Sequence, residues 1–174
     1  MIRLLSALPV LLLLSACAAS DPCEAFDFPL AAETPQPHLS SCASSGCGNG
    51  LNPPNSGPHC SATLSCRTYA AEQPRCQWLH NLEHGHVVLL YNCPEGCAEE
   101  VAKLEAALPS AKVGGNGVPR ALLAPDSQLP RRVAALVWRR SYVADSVDPQ
   151  ALRCLMRHQD EPAVTPEPHL ACAP

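Results

Sequence analysis

Cysteine is the residue that most restricts how this chain can fold. Eleven cysteines occur among 174 residues, and the apolar run that follows Met1-Ile2-Arg3 and ends at Leu14 is typical of an export signal. Exported proteins meet an oxidising compartment in which thiols pair. Setting aside Cys17, which is predicted to be lipidated, leaves ten: Cys23, Cys42, Cys47, Cys60, Cys66, Cys76, Cys93, Cys97, Cys154 and Cys172. The sequence therefore predicts up to five disulfide bonds, whose pairing the spacing does not determine.

Metal ligation is the alternative role for these cysteines. Cys42-x4-Cys47 and Cys93-x3-Cys97 come nearest to ligand spacing, but zinc ribbons favour paired cysteines with two intervening residues, and an oxidising compartment disfavours free thiolates. Disulfides are the favoured interpretation. They would matter here because aromatic residues make up only 4% of the chain, and an unstrained disulfide contributes typically about 2 to 4 kcal/mol.

Residues 1–16 are predicted to be a lipoprotein signal peptide. Leu14-Ser-Ala-Cys17 resembles a bacterial lipobox, at which the cysteine is acylated with chains such as palmitate and becomes the new N-terminus. Ala18 in the next position resembles lipoproteins sorted to the outer membrane of Gram-negative cells. The predicted location is the cell envelope, with a lipid anchor in the membrane. An ordinary secretory signal with Cys17 at its cleavage site is the alternative.

The remaining chain suits one domain. Residues 17–49 are rich in turn formers and are interpreted as a tether and loop region, 50–168 as the globular domain and 169–174 as a C-terminal tail. The formal charge is −4 and there is no basic block, so the sequence lacks the positive patch that nucleic-acid binding requires. No apolar segment after residue 17 reaches transmembrane length.

The apolar pattern predicts an α+β domain. Residues 87–91 form a strand buried on both faces, 97–108 a helix, 120–124 a short strand and 133–143 a further strand. Asp148-Pro149 is a helix start, with an N-cap followed by proline in the first turn. This β-α-β-β-α order predicts a mostly antiparallel sheet with two helices packed on one face.

The stretch from Trp78 to Tyr91, WLHNLEHGHVVLLY, holds three histidines and a glutamate. As a helix over 78–84, it places His80 and His84 on one face, with Gly85 as the left-handed residue that ends it. If the strand starts earlier, His84 and His86 share a face instead. Two imidazoles converge in either arrangement.

These histidines predict a copper or zinc site. The proposed ligands are His59, His80 and His84, with His86 or Glu83 as a further ligand or as a partner that orients one. His59 ends a Ser-Gly-Pro turn that proline stiffens. The alternative is that the histidines form structural hydrogen bonds, as in a His80–Glu83 pair. His38, His158 and His169 are interpreted as solvated or capping residues.

Two ordered motifs carry a family resemblance. Asn52-Pro-Pro-Asn-Ser-Gly-Pro-His59 and Leu79-His-Asn-Leu-Glu-His-Gly-His-Val-Val-Leu-Leu-Tyr91, with Trp138 and a closing Thr165-Pro-Glu167, resemble the bacterial family of domain of unknown function 3105 over roughly residues 50–168. The resemblance implies an exported or membrane-tethered domain and brings no established activity. The chain departs from the family pattern in having several cysteines around the motifs.

Two further functions compete with metal binding alone. His80-Asn-Leu-Glu-His84 fits the His-x-x-Glu-His pattern of inverted zinc peptidases, in which the glutamate activates water. A third ligand would then have to come from Glu161 or Glu167. The other candidate is a lipid-tethered interaction module, with structural histidines, that binds another envelope protein.

Overall fold

The computed structural model describes residues 20–173, so Cys17 and the predicted signal peptide lie outside the described residues. Along the chain the elements are β1 (His38–Leu39), β2 (His59–Cys60), α1 (Arg75–Glu83), β3 (Val87–Tyr91), α2 (Ala98–Ala107), a 3₁₀ turn (Leu108–Ser110), β4 (Ala121–Pro125), β5 (Val133–Val137), β6 (Arg140–Ala144) and α3 (Pro149–Met156). The predicted α+β class is confirmed.

The central sheet has four strands in the order β4-β3-β5-β6. Strand β3 pairs in parallel with β4 and antiparallel with β5, which pairs antiparallel with β6. Val87, Val88, Leu89 and Leu90 are fully buried, which confirms the prediction of a strand covered on both faces. This strand leads directly out of the histidine-rich stretch, so the sheet fixes one end of the candidate site.

Helices cover both faces of the sheet rather than one. Val87 and Leu89 belong to the apolar cluster that includes Leu104 of α2 and Leu155 of α3. Val88 and Leu90 belong to a second cluster with the buried side chains of α1. Because side chains alternate along a strand, a β3 that is apolar at every position needs a helix on each side, and α1 takes the second side.

The predicted single strand over residues 133–143 is two strands joined by a tight turn. Val137 pairs with Arg140, and Arg139 in the turn has φ 63°, a region that residues other than glycine seldom adopt. The Arg139 N–H donates to the Asn55 carbonyl at 2.8 Å, and its own carbonyl accepts from Ala31 N–H at 2.8 Å. Hydrogen bonds to distant loops therefore stabilise the turn. The sequence at the turn contains no residue typical of turns that would have predicted it.

All ten cysteines that follow Cys17 are paired, as predicted. The five disulfides are Cys23–Cys154, Cys42–Cys60, Cys47–Cys76, Cys66–Cys172 and Cys93–Cys97. Three of them start in residues 20–49 and fasten this segment to α3, β2 and α1. Phe28 from the same segment is buried in the core. The part of the predicted tether that the structure describes is thus attached to the domain along its length.

Five disulfides fit a protein that folds outside the reducing cytoplasm. Within residues 20–173, every helix is too short or too polar to cross a membrane.

Candidate metal centre

Helix α1 carries two of the site residues and ends beside them. His84 N–H donates to the His80 carbonyl at 3.2 Å, and Gly85 follows with φ 74°, which confirms it as the left-handed residue that ends the helix. A Cβ at position 85 would lie 2.1 Å from Asp160 Oδ1. Both the backbone conformation and the lack of space for a side chain therefore require glycine at this position. The sharp turn here separates the residues of α1 from those of β3.

His59 is held by the turn that precedes it. Gly57 has φ 98°, and a Cβ on it would lie 2.7 Å from the carbonyl carbon of Gly48. The Gly48 N–H donates to the Pro58 carbonyl at 2.8 Å, which fastens the turn to the neighbouring loop. His59 itself is fully buried and is paired in parallel register with His38 of β1.

Three imidazoles converge on one carboxylate oxygen. Glu83 Oε2 lies 2.9 Å from Nε2 of His59, 3.7 Å from Nε2 of His80 and 3.8 Å from Nε2 of His38. The three ring centroids are 4.8 to 4.9 Å apart in every pair. We call His38, His59, His80 and Glu83 the Glu83 cluster; its ligand atoms all lie within 4.8 Å of one another.

These separations approach those of a metal site. Tetrahedral zinc with nitrogen and oxygen ligands at about 2.0 to 2.1 Å has its ligand atoms roughly 3.3 Å apart. The three contacts to Glu83 Oε2, at 2.9 to 3.8 Å, bracket that value. Small side-chain movements would bring all four atoms to bonding distance from a common ion.

His59 has the orientation expected of a ligand. Its Nδ1–H donates to the Gly57 carbonyl at 2.9 Å, so its Nε2 faces Glu83. Metal-bound histidines almost always donate their second ring N–H to a carbonyl or carboxylate, which fixes the ring and the tautomer. The contact between His59 Nε2 and Glu83 Oε2 is a hydrogen bond of 2.9 Å.

His80 is buried without a hydrogen bond. Its Nδ1 is enclosed and has no partner among the described residues, its Nε2 is 3.7 Å from Glu83, and the residue is only 6% exposed. A buried polar group left unpaired costs about 1 to 3 kcal/mol. Hydrogen bonding among the described residues therefore does not explain why the His80 imidazole is buried.

Electrostatics divide the cluster into charged and neutral members. Burial opposes the charged form of His59, but its hydrogen bonds to Glu83 and Gly57 outweigh burial and raise its pKa. Burial likewise opposes ionisation of Glu83, and the hydrogen bond from His59 outweighs it and lowers the pKa of Glu83. Burial, followed by the nearby charges of His84 and His59, lowers the pKa of His80 to about 4. At neutral pH His80 is therefore uncharged, with a ring nitrogen free to bind a metal.

His84 lies next to the cluster but contacts a different carboxylate. Its Nε2 is 3.2 Å from Glu167 Oε2. Glu167 is held there because its backbone N–H donates to the Glu83 carbonyl at 3.1 Å. Burial, which outweighs the attraction of Glu167, lowers the pKa of His84. Of the two histidines in the His-x-x-Glu-His pattern, His80 therefore lies in the Glu83 cluster and His84 lies beside Glu167.

His86 is separate from the cluster and fully bonded. Its Nδ1 accepts from Asn81 Nδ2 at 3.0 Å, and its Nε2–H donates to the Leu170 carbonyl at 2.9 Å. The residue is fully buried, and burial lowers its pKa to about 4. Its nearest sulfur, Cys66 Sγ, is 3.8 Å from Nδ1 and belongs to a disulfide.

His38 is the cluster member that the sequence assigned to solvent or to capping. Its side chain is 49% exposed, and it reaches Glu83 because β1 pairs with β2 and because Cys42, a few residues later, is bonded to Cys60. Neither the strand pairing nor the disulfide produces a local sequence pattern. The only feature of the sequence that hinted at the position of His38 was the number of cysteines around it.

The other histidines and acids form ordinary pairs. His158 contacts Glu161, and His169 contacts Asp160. Glu161, one of the two acids considered for a third zinc ligand, is bonded to the Arg140 guanidinium at 2.7 and 2.8 Å. These pairs lie outside the Glu83 cluster.

The fold and site define a disulfide-braced α+β domain with a buried cluster of histidines and a glutamate. The model of the family described as "Protein of unknown function (DUF3105)" matches residues 48–174, and the chain belongs to that family, as the two motifs predicted. Neither a curated protein nor a solved structure matches the chain. The matched region includes His59, His80 and Glu83, whereas His38 lies before it.

Proposed function

We propose that this protein is an exported, lipid-anchored domain in which the Glu83 cluster binds a copper or zinc ion. One observation carries the proposal: the Nε2 atoms of three histidines surround a single carboxylate oxygen, and the Nε2 of His80 lies 3.7 Å from that oxygen, too far for a hydrogen bond.

The donor set favours these metals. Imidazole suits zinc and copper, and the cluster supplies three imidazoles and one carboxylate. The ten cysteines of the disulfides provide no thiolate, so ions that require soft sulfur ligands are disfavoured. A proton satisfies only the His59–Glu83 contact, whereas a metal ion would also bind His80. The Nε2 of His80, which faces Glu83 beyond hydrogen-bond distance, is therefore better explained by a metal than by a structural network.

The exposure of the ligands gives the site an entrance. His59, His80 and Glu83 are buried, and His38 is half-exposed on a two-residue strand. A site of this kind has three ligands on the rigid domain and a fourth at the solvent side, where an ion could be exchanged.

Metal titration tests the proposal directly. Protein with intact disulfides is stripped with a chelator and titrated with zinc or copper by calorimetry, alongside His80→Ala, Glu83→Gln and a control, His158→Ala, which removes a histidine outside the cluster. We expect binding to weaken at least ~100-fold in the first two variants, about 2.7 kcal/mol, and to be unchanged in the control. Equal affinity in all four proteins would end the proposal.

Trp138 provides a reporter inside the domain. Its ring centroid is 6.2 Å from that of His59, so copper(II) at the cluster should quench its fluorescence. Because the other tryptophan, Trp78, lies two residues before His80 in α1, the measurement is made in a Trp78→Phe background. Calorimetric copper binding without quenching of Trp138 in that background would place the ion elsewhere.

Melting separates metal binding from the alternative, an envelope interaction module with structural histidines. A ligand that binds only the folded state stabilises it by about 2.7 kcal/mol at 100 times its Kd, which for a domain of this size raises Tm by roughly 5 to 10 °C. A metal-independent module predicts the same Tm with and without a chelator.

The lipid anchor rests on the lipobox resemblance alone. Cys17→Ser should release the protein from the membrane fraction into the soluble envelope fraction, detected by immunoblotting. Retention in the membrane would contradict the anchor and leave metal binding untouched.

A further inference from the structure

We propose that Glu83 bridges two metal ions, with the second ion held by His84 and Glu167. The inference rests on the proposed function and extends it, because a second site has meaning only if the Glu83 cluster binds the first ion. The resulting centre would be dinuclear and would lie at the end of helix α1.

A second set of ligands lies directly against the first. Glu83, His84 and Glu167 offer ligand atoms that lie within 4.8 Å of one another, and His84 Nε2 is 3.2 Å from Glu167 Oε2. The ring centroids of His80 and His84 are 4.4 Å apart, so the two sets touch. Glu83 is the residue that both sets share.

The backbone holds this second set in place. His84 follows α1 immediately, and its N–H is still bonded to the His80 carbonyl. Glu167 is 84 residues beyond Glu83 in the chain, yet its N–H donates to the Glu83 carbonyl at 3.1 Å. The backbone of Glu167 is therefore held at the end of α1, and a carboxylate oxygen of Glu167 lies within 4.8 Å of ligand atoms of Glu83 and His84.

The chemistry of the carboxylate makes a bridge possible. All three histidine contacts of the Glu83 cluster involve Oε2, and a carboxylate has a second oxygen on the same carbon. Two-metal sites hold their ions roughly 3.5 to 4 Å apart, a separation that one carboxylate spans. Glu167 brings a second negative charge, which would offset part of the repulsion between the ions.

The two ions would differ in accessibility. The His84 side chain is 16% exposed and that of Glu167 is 55% exposed, whereas His59 and Glu83 are buried. Three protein ligands, one of them at the surface, leave room for water on the second ion. We therefore expect the second ion to bind at least ~10-fold more weakly than the first and to be the one in contact with solvent.

Stoichiometry tests the second site. Chelator-stripped protein is titrated with zinc by calorimetry, and bound zinc is counted by elemental analysis after equilibrium dialysis. We expect two zinc ions per chain in the wild type and one in His84→Ala or Glu167→Gln, with the affinity of the remaining ion changed less than ~3-fold. Glu167→Gln keeps the side-chain shape at a half-exposed position and serves as the variant least able to disturb folding. His158→Ala, the control, should still bind two.

Copper(II) tests the bridge itself. Two copper(II) ions that share a carboxylate couple magnetically, so the wild type loaded with two equivalents should give well under two spins per chain by electron paramagnetic resonance. Glu167→Gln should bind one copper and give one full spin.

The outcomes separate this inference from the proposed function. One ion in the wild type, unchanged in both variants, would overturn the second site and leave the proposed function standing. Two ions with two uncoupled spins would overturn the bridge. No bound ion at all would overturn the proposed function together with this inference.

Discussion

His80 and His86 are both buried and lie six residues apart, yet the protein treats them differently. Both ring nitrogens of His86 have partners, Asn81 and the Leu170 carbonyl. His80 has one enclosed nitrogen with no partner and another 3.7 Å from Glu83. A histidine that is fully bonded stabilises the fold, whereas one that is buried and unbonded stays available for a ligand. The contrast distinguishes a fully hydrogen-bonded histidine from an unbonded one within one short motif, and we propose that only the unbonded one binds metal.

The largest expected effect is a loss of stability on substitution of His86, the fully hydrogen-bonded histidine of the pair. His86→Ala leaves the Leu170 carbonyl and one N–H of Asn81 Nδ2 without a partner, while the other N–H of Nδ2 still donates to the Leu64 carbonyl. It also opens a cavity, so we expect the free energy of unfolding to fall by about 3 kcal/mol. Urea denaturation at pH 7 measures it. The metal affinity of the folded fraction should remain within ~3-fold of the wild type. A large loss of affinity with little loss of stability would reverse the assignment of the two histidines.

The opposite result is expected for His80→Ala. Metal affinity should fall ~100-fold, about 2.7 kcal/mol, while the unfolding free energy of the metal-free protein changes by less than about 1 kcal/mol. The cavity left by the ring is destabilising, but the substitution also removes a buried nitrogen that has no partner, which offsets that cost. The same calorimetric titration and urea series give both numbers. If His80→Ala destabilises the metal-free protein as much as His86→Ala does, the contrast between the two residues is wrong.

Acid should lower the free energy of unfolding by protonating Asp160. Although burial opposes its ionisation, hydrogen bonds from Arg120 and the His169 N–H, together with the charge of Lys112, lower the pKa of Asp160 from 3.8 to about 2. A depressed pKa stabilises the fold above the unfolded-state value, so about 2 kcal/mol should be present above roughly pH 4 and lost as the pH falls toward 2. The measurement is urea denaturation between pH 5 and about pH 2.

The control for that prediction is Asp160→Asn. It should be less stable than the wild type at pH 5 and should show a smaller decline in stability on acidification. A decline equal to that of the wild type would assign the acid sensitivity to another group.

The smallest effect is expected at the solvent edge of the cluster. His38→Ala removes the half-exposed ligand, and we expect metal affinity to fall ~10-fold, about 1.4 kcal/mol, while stability is nearly unchanged. Calorimetry with zinc measures the difference. A loss as large as that for His80→Ala would show that exposure does not rank the ligands, and no loss would remove His38 from the site.

Local features of the fold were predictable from sequence. Helix α2, the Asp148 cap of α3, the buried strand β3 and the left-handed Gly85 follow from residue type and periodicity, and the structure confirms them. Asp148 accepts from two backbone N–H groups at the start of α3. Each of these depends on neighbours within a few residues, which a single sequence displays.

Features set by distant contacts were not predictable. The turn at Arg139 depends on loops about 80 and 108 residues away in the chain, and α1 covers a face of the sheet that the order of elements did not reveal. The sequence pointed to His59, His80 and Glu83, and the structure brings them together. It did not single out His38, whose place depends on disulfide pairing, and spacing could not show that His84 and His86 would turn away toward Glu167 and Asn81.

Cys42–Cys60 and Cys47–Cys76 have a consequence for maturation. These bonds join the segment that carries His38 to β2 and α1, which carry His59, His80 and Glu83. While the thiols are reduced, nothing covalent holds that arm near the carboxylate. A newly made chain is therefore expected to bring His38 to the Glu83 cluster only after its thiols are oxidised, so an ion bound there would be acquired after the chain has left the reducing cytoplasm.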